Sequence, residues 1–395
     1  MTARRRLTPG LLAVLSFLAA VGPFATDMYL ASFTAIARDL GARPSSVQLT
    51  LTAFLIGMGV GQLLLGPLSD QSGRRPVLVV SLAVFAASSV AMVFAPNIAV
   101  FVVLRALQGM SGSAGVVVSR AIAVDLSKGP AAIRAISLIA MFVGLGPLIA
   151  PPVGGAILTL GDWRAVLAAL AAIAVAMFAL AAFFVPESLP RESRGSGLRT
   201  ALRSFGALLG DRRFLLLMCV FGLGFGGMMS YISASPFVGQ VVLEMPPLLY
   251  SLAFAAGAAA MILANFTNAR LAGRVPARRM MLIGTLLSLA AGAALTALSA
   301  SGALSPALFI ACAFALTGGS GLVMSNSSAI ALSLADDTRG SGSALLGASQ
   351  FAVGGLASPL VGAWGEHTAL PMSLFVLTAS ALACAGALRY ALLAR

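Results

Sequence analysis

The chain has 395 residues, of which 59% are hydrophobic and only 9% charged, with a mean hydropathy of +1.00. Soluble domains carry about a quarter of their residues as charged side chains, so a water-soluble enzyme or binding module is excluded and a polytopic membrane protein is indicated. The formal net charge of +13 would suit nucleic acid, but the basic residues fall between apolar stretches rather than in one patch, and that partner is excluded too.

Twelve apolar stretches are each long enough to cross a hydrocarbon layer of roughly 30 Å as a helix. They cover residues 11–32, 47–68, 77–96, 98–120, 133–160, 163–185, 213–238, 248–270, 279–301, 304–328, 340–364 and 369–392, and are numbered spans 1 to 12. Lipid offers no partner to backbone polar groups, so segments of this length imply helices rather than a barrel. Of the 25 Lys and Arg residues, 21 lie in the N-terminal tail, in the loops after spans 2, 4, 6, 8 and 10, and in the C-terminal tail. Only Arg38, Arg43 and Arg164 lie on the opposite side, and Arg105 lies inside a span. This asymmetry predicts that both termini are cytoplasmic, in the plasma (inner) membrane, with lipid as the immediate partner. Arg4, Arg5 and Arg6 precede span 1 without a small-residue cleavage site after it, which reads as a retained first helix rather than a secretory signal. Cys219, Cys312 and Cys384 fall inside spans, are odd in number, and read as buried thiols without a disulfide framework.

Span 1 holds "GPFATDMYLASF", Gly22 to Phe33, in which Asp27 is the single charge. The other acidic residues all fall in loops or at helix ends, so Asp27 alone is left in the membrane, where an ionised Asp costs roughly 2.5 to 3.5 kcal/mol near a helix centre. By helical rise Asp27 lies about 7 to 8 Å below the outer end of span 1 and Arg105 about 10 Å below that of span 4, so the lone acid and lone base share a depth. After span 2 comes "GPLSDQSGRRP", a tight cytoplasmic turn. There Gly73 permits unusual backbone angles, Asp70 and Arg74 stand four apart, and Pro76 suits a helix's first turn. Span 4 contains "LRALQGMSGSAG", with Gln108 one turn beyond Arg105. Span 5 ends in "GLGPLIAPPVGG", whose Gly and Pro content is tolerated in a membrane bundle where neighbouring helices re-satisfy freed backbone groups.

Between spans 6 and 7 lies the longest polar stretch, Pro186 to Arg213. Within it Leu198, Ala201, Leu202, Phe205, Leu208 and Leu209 recur at helical spacing between Arg199 and Arg203, which fits a helix on the membrane surface or a flexible tether. Across this stretch the chain resembles itself weakly: "APPVGGAI" at Ala150 matches "ASPLVGAW" at Ala357. The expected organisation is an N-terminal six-helix half (1–190), a cytoplasmic linker (191–212) and a C-terminal six-helix half (213–395), enclosing a central cavity. The single histidine, His367, sits beside Glu366 in a loop, so no histidine is available at depth to activate a serine or hold a catalytic zinc. An intramembrane enzyme is therefore the disfavoured alternative from a different class, the expectation is that the chain is not an enzyme, and no cofactor or metal is expected.

The turn at Gly66, Asp70, Gly73, Arg74 and Arg75 resembles the G-x-x-x-D-R-x-G-R-R signature of the major facilitator superfamily, with Gln71 in place of the first Arg. The Arg105 segment resembles the family's R-x-x-x-G helix, which implies that Arg105 faces the central cavity. Gly146, Pro147, Pro151, Gly154 and Gly155 resemble the antiporter motif, which implies packing against the other half; Ala150 stands where that pattern has Gly. "TDMYLASF" resembles the T-D-M-Y-L-P-A-L-P stretch of the bicyclomycin-resistance type (Bcr/CflA-like) drug:proton antiporters, with Ala31 and Thr34 replacing the two prolines, and "PESLP" after span 6 adds to the agreement. The resemblance implies an all-α, twelve-helix monomeric transporter that moves drug-like molecules out and protons in by alternating access. The alternative it leaves open is proton-coupled transport of an endogenous metabolite, as uptake or export.

On this reading Asp27 carries the coupling proton beside Arg105. Burial favours the neutral carboxyl and a nearby cation favours the charged one, so the two influences can load and unload it. A structural acid that permanently neutralises Arg105 is the competing role. The resemblance makes spans 1, 4, 7 and 10 line the cavity, with Tyr29, Gln108, Met228, Tyr231 and Asn326 as substrate contacts.

Overall fold

The computed structural model describes residues 7–127, 130–190, 205–335, 339–362 and 367–393. Among them, twelve helical segments are long and apolar enough to cross a membrane. They are Pro9–Asp39, Pro44–Ser72, Arg74–Val93, Ile98–Asp125, Arg134–Leu160, Trp163–Phe184, Arg212–Val242, Pro247–Leu271, Ala277–Ala300, Pro306–Leu334, Ser341–Val361 and Leu370–Leu393. Each matches one expected span. Their lipid-grade side chains stay exposed, among them Leu64, Val80, Phe183, Leu263 and Leu286, as a bilayer requires.

Several helix starts are set by the polar residue just before them. Asn97 Oδ1 accepts from the Val100 N–H at 3.0 Å and Asp162 Oδ1 from that of Ala165 at 2.9 Å. Asp211 likewise accepts from Arg213 N at 2.8 Å. Such caps satisfy orphan amides that lipid cannot, which is why these polar side chains stand at helix ends.

Two compact units divide the chain: residues 1–29 with 53–200, and residues 30–52 with 201–395. In the first unit, span 4 is the close-packed centre. A Cβ on Gly109 would lie 2.0 Å from the carbonyl oxygen of Phe54 in span 2, and one on Gly115 would lie 2.5 Å from that of Leu18 in span 1. Only glycine lets these backbones touch, as small residues do in membrane bundles generally. Span 5 runs as helix through Pro147, Pro151 and Pro152. In the second unit, Phe214, Leu217, Val220, Met281, Val323, Ala387 and Tyr390 join spans 7, 9, 10 and 12 around a common core.

Span 1 departs from expectation. Instead of ending near residue 32 it continues to Asp39 in four pieces: Pro9–Ala19, Val21–Asp27, a 3₁₀ turn at Leu30–Ser32, and Phe33–Asp39. Pro23, which has no N–H to give the carbonyl four residues back, accounts for the first break. The second break, directly after Asp27, contains no proline. The added length also revises the depth of Asp27, now twelve residues from the span's end, or about 18 Å along an ideal helix.

Two further expectations change. Cys312 and Cys384 are buried, but Cys219 is exposed on span 7, where a thiol behaves as a small hydrophobe facing lipid. In the stretch before span 7, Leu198, Ala201 and Leu202 lie outside the described residues. Residues 205–210 are helical, and Leu208 is packed into the second unit's core with Phe214 and Tyr390 rather than resting on a membrane surface. Leu209 remains exposed.

Candidate functional site

The lone acid and lone base do meet at one level, although not as an ion pair. Arg105, 1% exposed, donates through Nη1 to the carbonyl oxygen of Ala25 at 2.9 Å and to Gln108 Oε1 at 2.5 Å. Gln108 Nε2 in turn donates to Ser89 Oγ in span 3 at 2.7 Å. The flat guanidinium lies between two rings, its Cζ 4.3 Å from the centroid of Tyr29 and 4.4 Å from that of Phe54. Cation–π attraction of this kind strengthens when the pair is shielded from water. Phe54 reaches this position because Gly109 admits its backbone against span 4. Tyr29 is braced from behind by Phe101 at 6.4 Å, and Phe101 by Trp163 at 6.3 Å. The Nε and Nη2 atoms of Arg105 are buried with no hydrogen-bond partner among the described residues.

Asp27 is 5% exposed. Its Oδ1 accepts from the hydroxyl of Thr26 at 2.8 Å, and among the described residues no ion pair joins it to Arg105. The Thr26 hydroxyl also lies 3.0 Å from the carbonyl oxygen of Gly22. A hydroxyl has one proton and two lone pairs. It can therefore donate to an ionised Asp27, or accept from a protonated one while turning its own proton to Gly22. Thr26 thus offers a hydrogen bond to both charge states without any helix having to move. A charge-neutralising role for Asp27 at Arg105 finds no support in this arrangement.

The Pro-Gly stretch of span 5 backs the same segment. A Cβ on Gly146 would lie 2.3 Å from that of Pro23, and one on Gly154 would lie 1.8 Å from the carbonyl oxygen of Met28. Within the first unit, these glycines therefore seat span 5 on the two turns of span 1 that carry Asp27.

At the turn between spans 2 and 3, Gly73 has φ +102°, a conformation L side chains rarely adopt. Arg74 gathers three partners: Asp70 Oδ1 at 2.5 Å and Ser69 Oγ at 2.8 Å through Nη1, and Asp125 Oδ2 at 3.2 Å through Nε. Glu187, in "PESLP", accepts from the backbone N–H groups of Arg74 at 3.0 Å and Arg75 at 3.4 Å, capping span 3. Arg75 Nη2 donates to the carbonyl oxygen of Ala182 at 2.8 Å, and Ser188 donates to Asp125 at 2.8 Å. Gly66, whose carbonyl accepts from Ser69 at 2.7 Å, lies next to Val117 of span 4. The expected motif residues form one network, to which the structure adds Asp125, Glu187 and Ser188.

In the second unit, Tyr231 is buried and stacks on Phe254 with ring centroids 6.1 Å apart and planes 10° off parallel; Phe309 lies at 5.8 Å. Asn326 Nδ2 donates to Asn268 Oδ1 in span 8 at 3.0 Å, and Ser325 donates to Asn265 Oδ1 at 2.6 Å. Met228 and Met229 are buried on the same helix as Tyr231. The expected contact residues therefore divide: Tyr29 and Gln108 join Asp27 and Arg105, while Met228, Tyr231 and Asn326 belong to the second unit.

Phe54, Thr26 and Ser89 were not expected. Phe54 carries no signal, because an aromatic in an apolar span reads as lipid-facing. The adjacent Ser88 and Ser89 form a polar pair inside an apolar helix, a signal that was available. His367 is exposed.

A buried acid and base in broken and glycine-packed helices, with a charged turn at one end of the bundle, define a membrane transporter rather than an enzyme. Residues 15–359 match the family model described as Major Facilitator Superfamily, and the chain belongs to that superfamily. It is 32% identical over 94% of its length to the Bicyclomycin resistance protein homolog of Haemophilus influenzae, 92% of which is covered, and stands in that bicyclomycin-resistance branch. It is also 35% identical to the Uncharacterized MFS-type transporter YdgK of Bacillus subtilis, with 96% of this chain and 94% of the relative covered. The fold matches that of the nucleoside transporter NupG with a TM-score of 0.76 at 13% identity, covering 96% of this chain and 98% of the other.

Proposed function

We propose that the protein exports drug-like small molecules in exchange for protons, with Asp27 as the proton-carrying group. The observation that carries this reading is a carboxyl group buried within a membrane span, unpaired with Arg105, and held by a hydroxyl that suits both its charge states. The resistance named in the Haemophilus influenzae relative supports a drug as cargo. The six-plus-six halves rock about the segment containing Asp27, both termini are cytoplasmic, and the chain works in the plasma membrane as a monomer. A proton on Asp27 and a drug molecule exclude one another, so release of one accompanies uptake of the other. Arg105 holds the local field constant: a permanent guanidinium stacked between two rings gives back charge stabilisation when the proton leaves.

The test is proton release on addition of bicyclomycin or an amphenicol to detergent-purified protein. Release is expected from the parent and none from Asp27→Asn, provided the variant inserts and elutes as a single species. Equal release from both would overturn the assignment, and transport in vesicles that ignored collapse of the pH gradient would overturn proton antiport.

A further inference from the structure

The break after Asp27 is held by a side chain 200 residues away in sequence. Residues through Tyr29 belong to the first unit and residues from Leu30 to the second. Within the second unit, the 3₁₀ turn Leu30–Ser32 and the helix Phe33–Asp39 lie against the end of span 7. There the α-helix loosens into a π-helical turn at Val238–Val242. One residue of that turn, Gln240, uses both ends of its amide: Nε2 donates to the carbonyl oxygen of Ala31 at 3.1 Å, and Oε1 accepts from the hydroxyl of Thr34 at 3.1 Å. Phe33 packs on Phe237 alongside, ring centroids 6.1 Å apart. The π turn is itself seated tightly: a Cβ on Gly239 would lie 2.7 Å from the Tyr250 ring, and the Tyr250 hydroxyl is hydrogen-bonded to Ser235 at 2.8 Å.

Ala31 and Thr34 are the two positions at which this sequence departs from the prolines of the pattern it otherwise resembles. A proline would bend the chain covalently by removing an N–H and fixing φ. Here neither proline exists, yet the α-helix is interrupted by the 3₁₀ turn at Leu30–Ser32, and the two residues in their places are the two that Gln240 holds. Thr34 supplies a hydroxyl that proline lacks. π-Helical turns inside longer helices occur frequently at functional sites, which agrees with one being placed here.

We propose that Gln240 is a positioning residue for transport: a two-point latch that keeps the outer part of span 1 on span 7 and so holds the 3₁₀ turn that follows Asp27. It rests on the alternating-access reading above, because the latch has work to do only if the halves move about this segment. With the latch closed, Ser32 is fully buried and its hydroxyl has no partner among the described residues. Opening it exposes Ser32 to the outer water.

The experiment follows the labelling of Ser32→Cys in intact cells by a membrane-impermeant maleimide, in a background with Cys219, Cys312 and Cys384 changed to Ala. Gln240→Ala is expected to raise the labelling rate about tenfold. Thr34→Val, which removes one of the two bonds and is the gentler change, is expected to raise it by a smaller factor, and Gln240→Glu, which keeps only the Thr34 bond, should fall between. In efflux assays the Thr34→Val, Gln240→Ala double variant should be no worse than Gln240→Ala alone, because both changes act on one interaction. Labelling rates unchanged in both Gln240→Ala and Thr34→Val would overturn the latch. Labelling requires neither drug nor proton, so changed labelling together with absent drug export would leave the latch standing and remove the functional reading instead.

Discussion

Arg105 donates to the backbone carbonyl of Ala25, two residues before Asp27, and not to the Asp27 carboxylate. The cation is thereby tied to the backbone of span 1 rather than to its carboxylate, which is what the proposed proton-carrying role of Asp27 requires. The stack between Tyr29 and Phe54 needs a flat cation, and the bonds to Ala25 and Gln108 need donors in its plane. Arg105→Lys keeps the charge but loses that geometry. It is expected to cost about 1 to 2 kcal/mol for each desolvated ring contact and to lower transport at least tenfold. A melting curve in detergent beside dye efflux from cells tests both.

Thr26 makes a separate prediction. Thr26→Val is nearly the same shape but removes the hydroxyl that serves Asp27 in either charge state. Transport should slow several-fold and its pH profile should move, whereas Thr26→Ser should restore both. An unchanged profile in Thr26→Val would remove Thr26 from the proton step.

The span 5 glycines can be told apart by space alone. A Cβ at Gly144 meets nothing within 4 Å, whereas one at Gly146 meets Pro23 at 2.3 Å. Gly144→Ala should leave stability unchanged or raise it by about 0.5 to 1 kcal/mol. Gly146→Ala should lower it by about 1 to 3 kcal/mol through overpacking and should impair efflux. Thermal melts of the two purified variants provide the comparison.

At the turn between spans 2 and 3, Glu187→Ala removes the carboxylate that caps span 3 at Arg74 and Arg75. Losing a cap costs about 0.5 to 2 kcal/mol. The expected result is a lower melting temperature with the chain still inserted, and Glu187→Gln, which keeps an acceptor, should recover part of it.

The twelve spans were legible because each is a run of apolar residues broken by charge, and Arg105 and Asp27 because each is a charge with no loop to occupy. Their shared level was legible too, but their pairing was not. A helix turns by about 100° per residue, so depth in a membrane does not say which group faces a neighbour. Phe54 and the Gln240 bonds were hidden for related reasons: an apolar side chain in an apolar helix looks the same whether it meets lipid or a guanidinium, and a contact between residues 31 and 240 leaves no local pattern. The 3₁₀ turn at Leu30–Ser32 contains no proline, and the amide that meets the carbonyl of Ala31 comes from Gln240, far along the chain.

The carbonyl oxygens that stand where Gly109 and Gly115 would otherwise carry methyl groups leave no cushioning side chains between span 4 and its neighbours. Sliding one of these rods past another would drive oxygen into backbone, so the trio can travel only as a single slab. If the proposed alternating access holds, the guanidinium keeps its address, and a change in its distance from the acid has to originate in the jointed rod, beyond the break at Ala20.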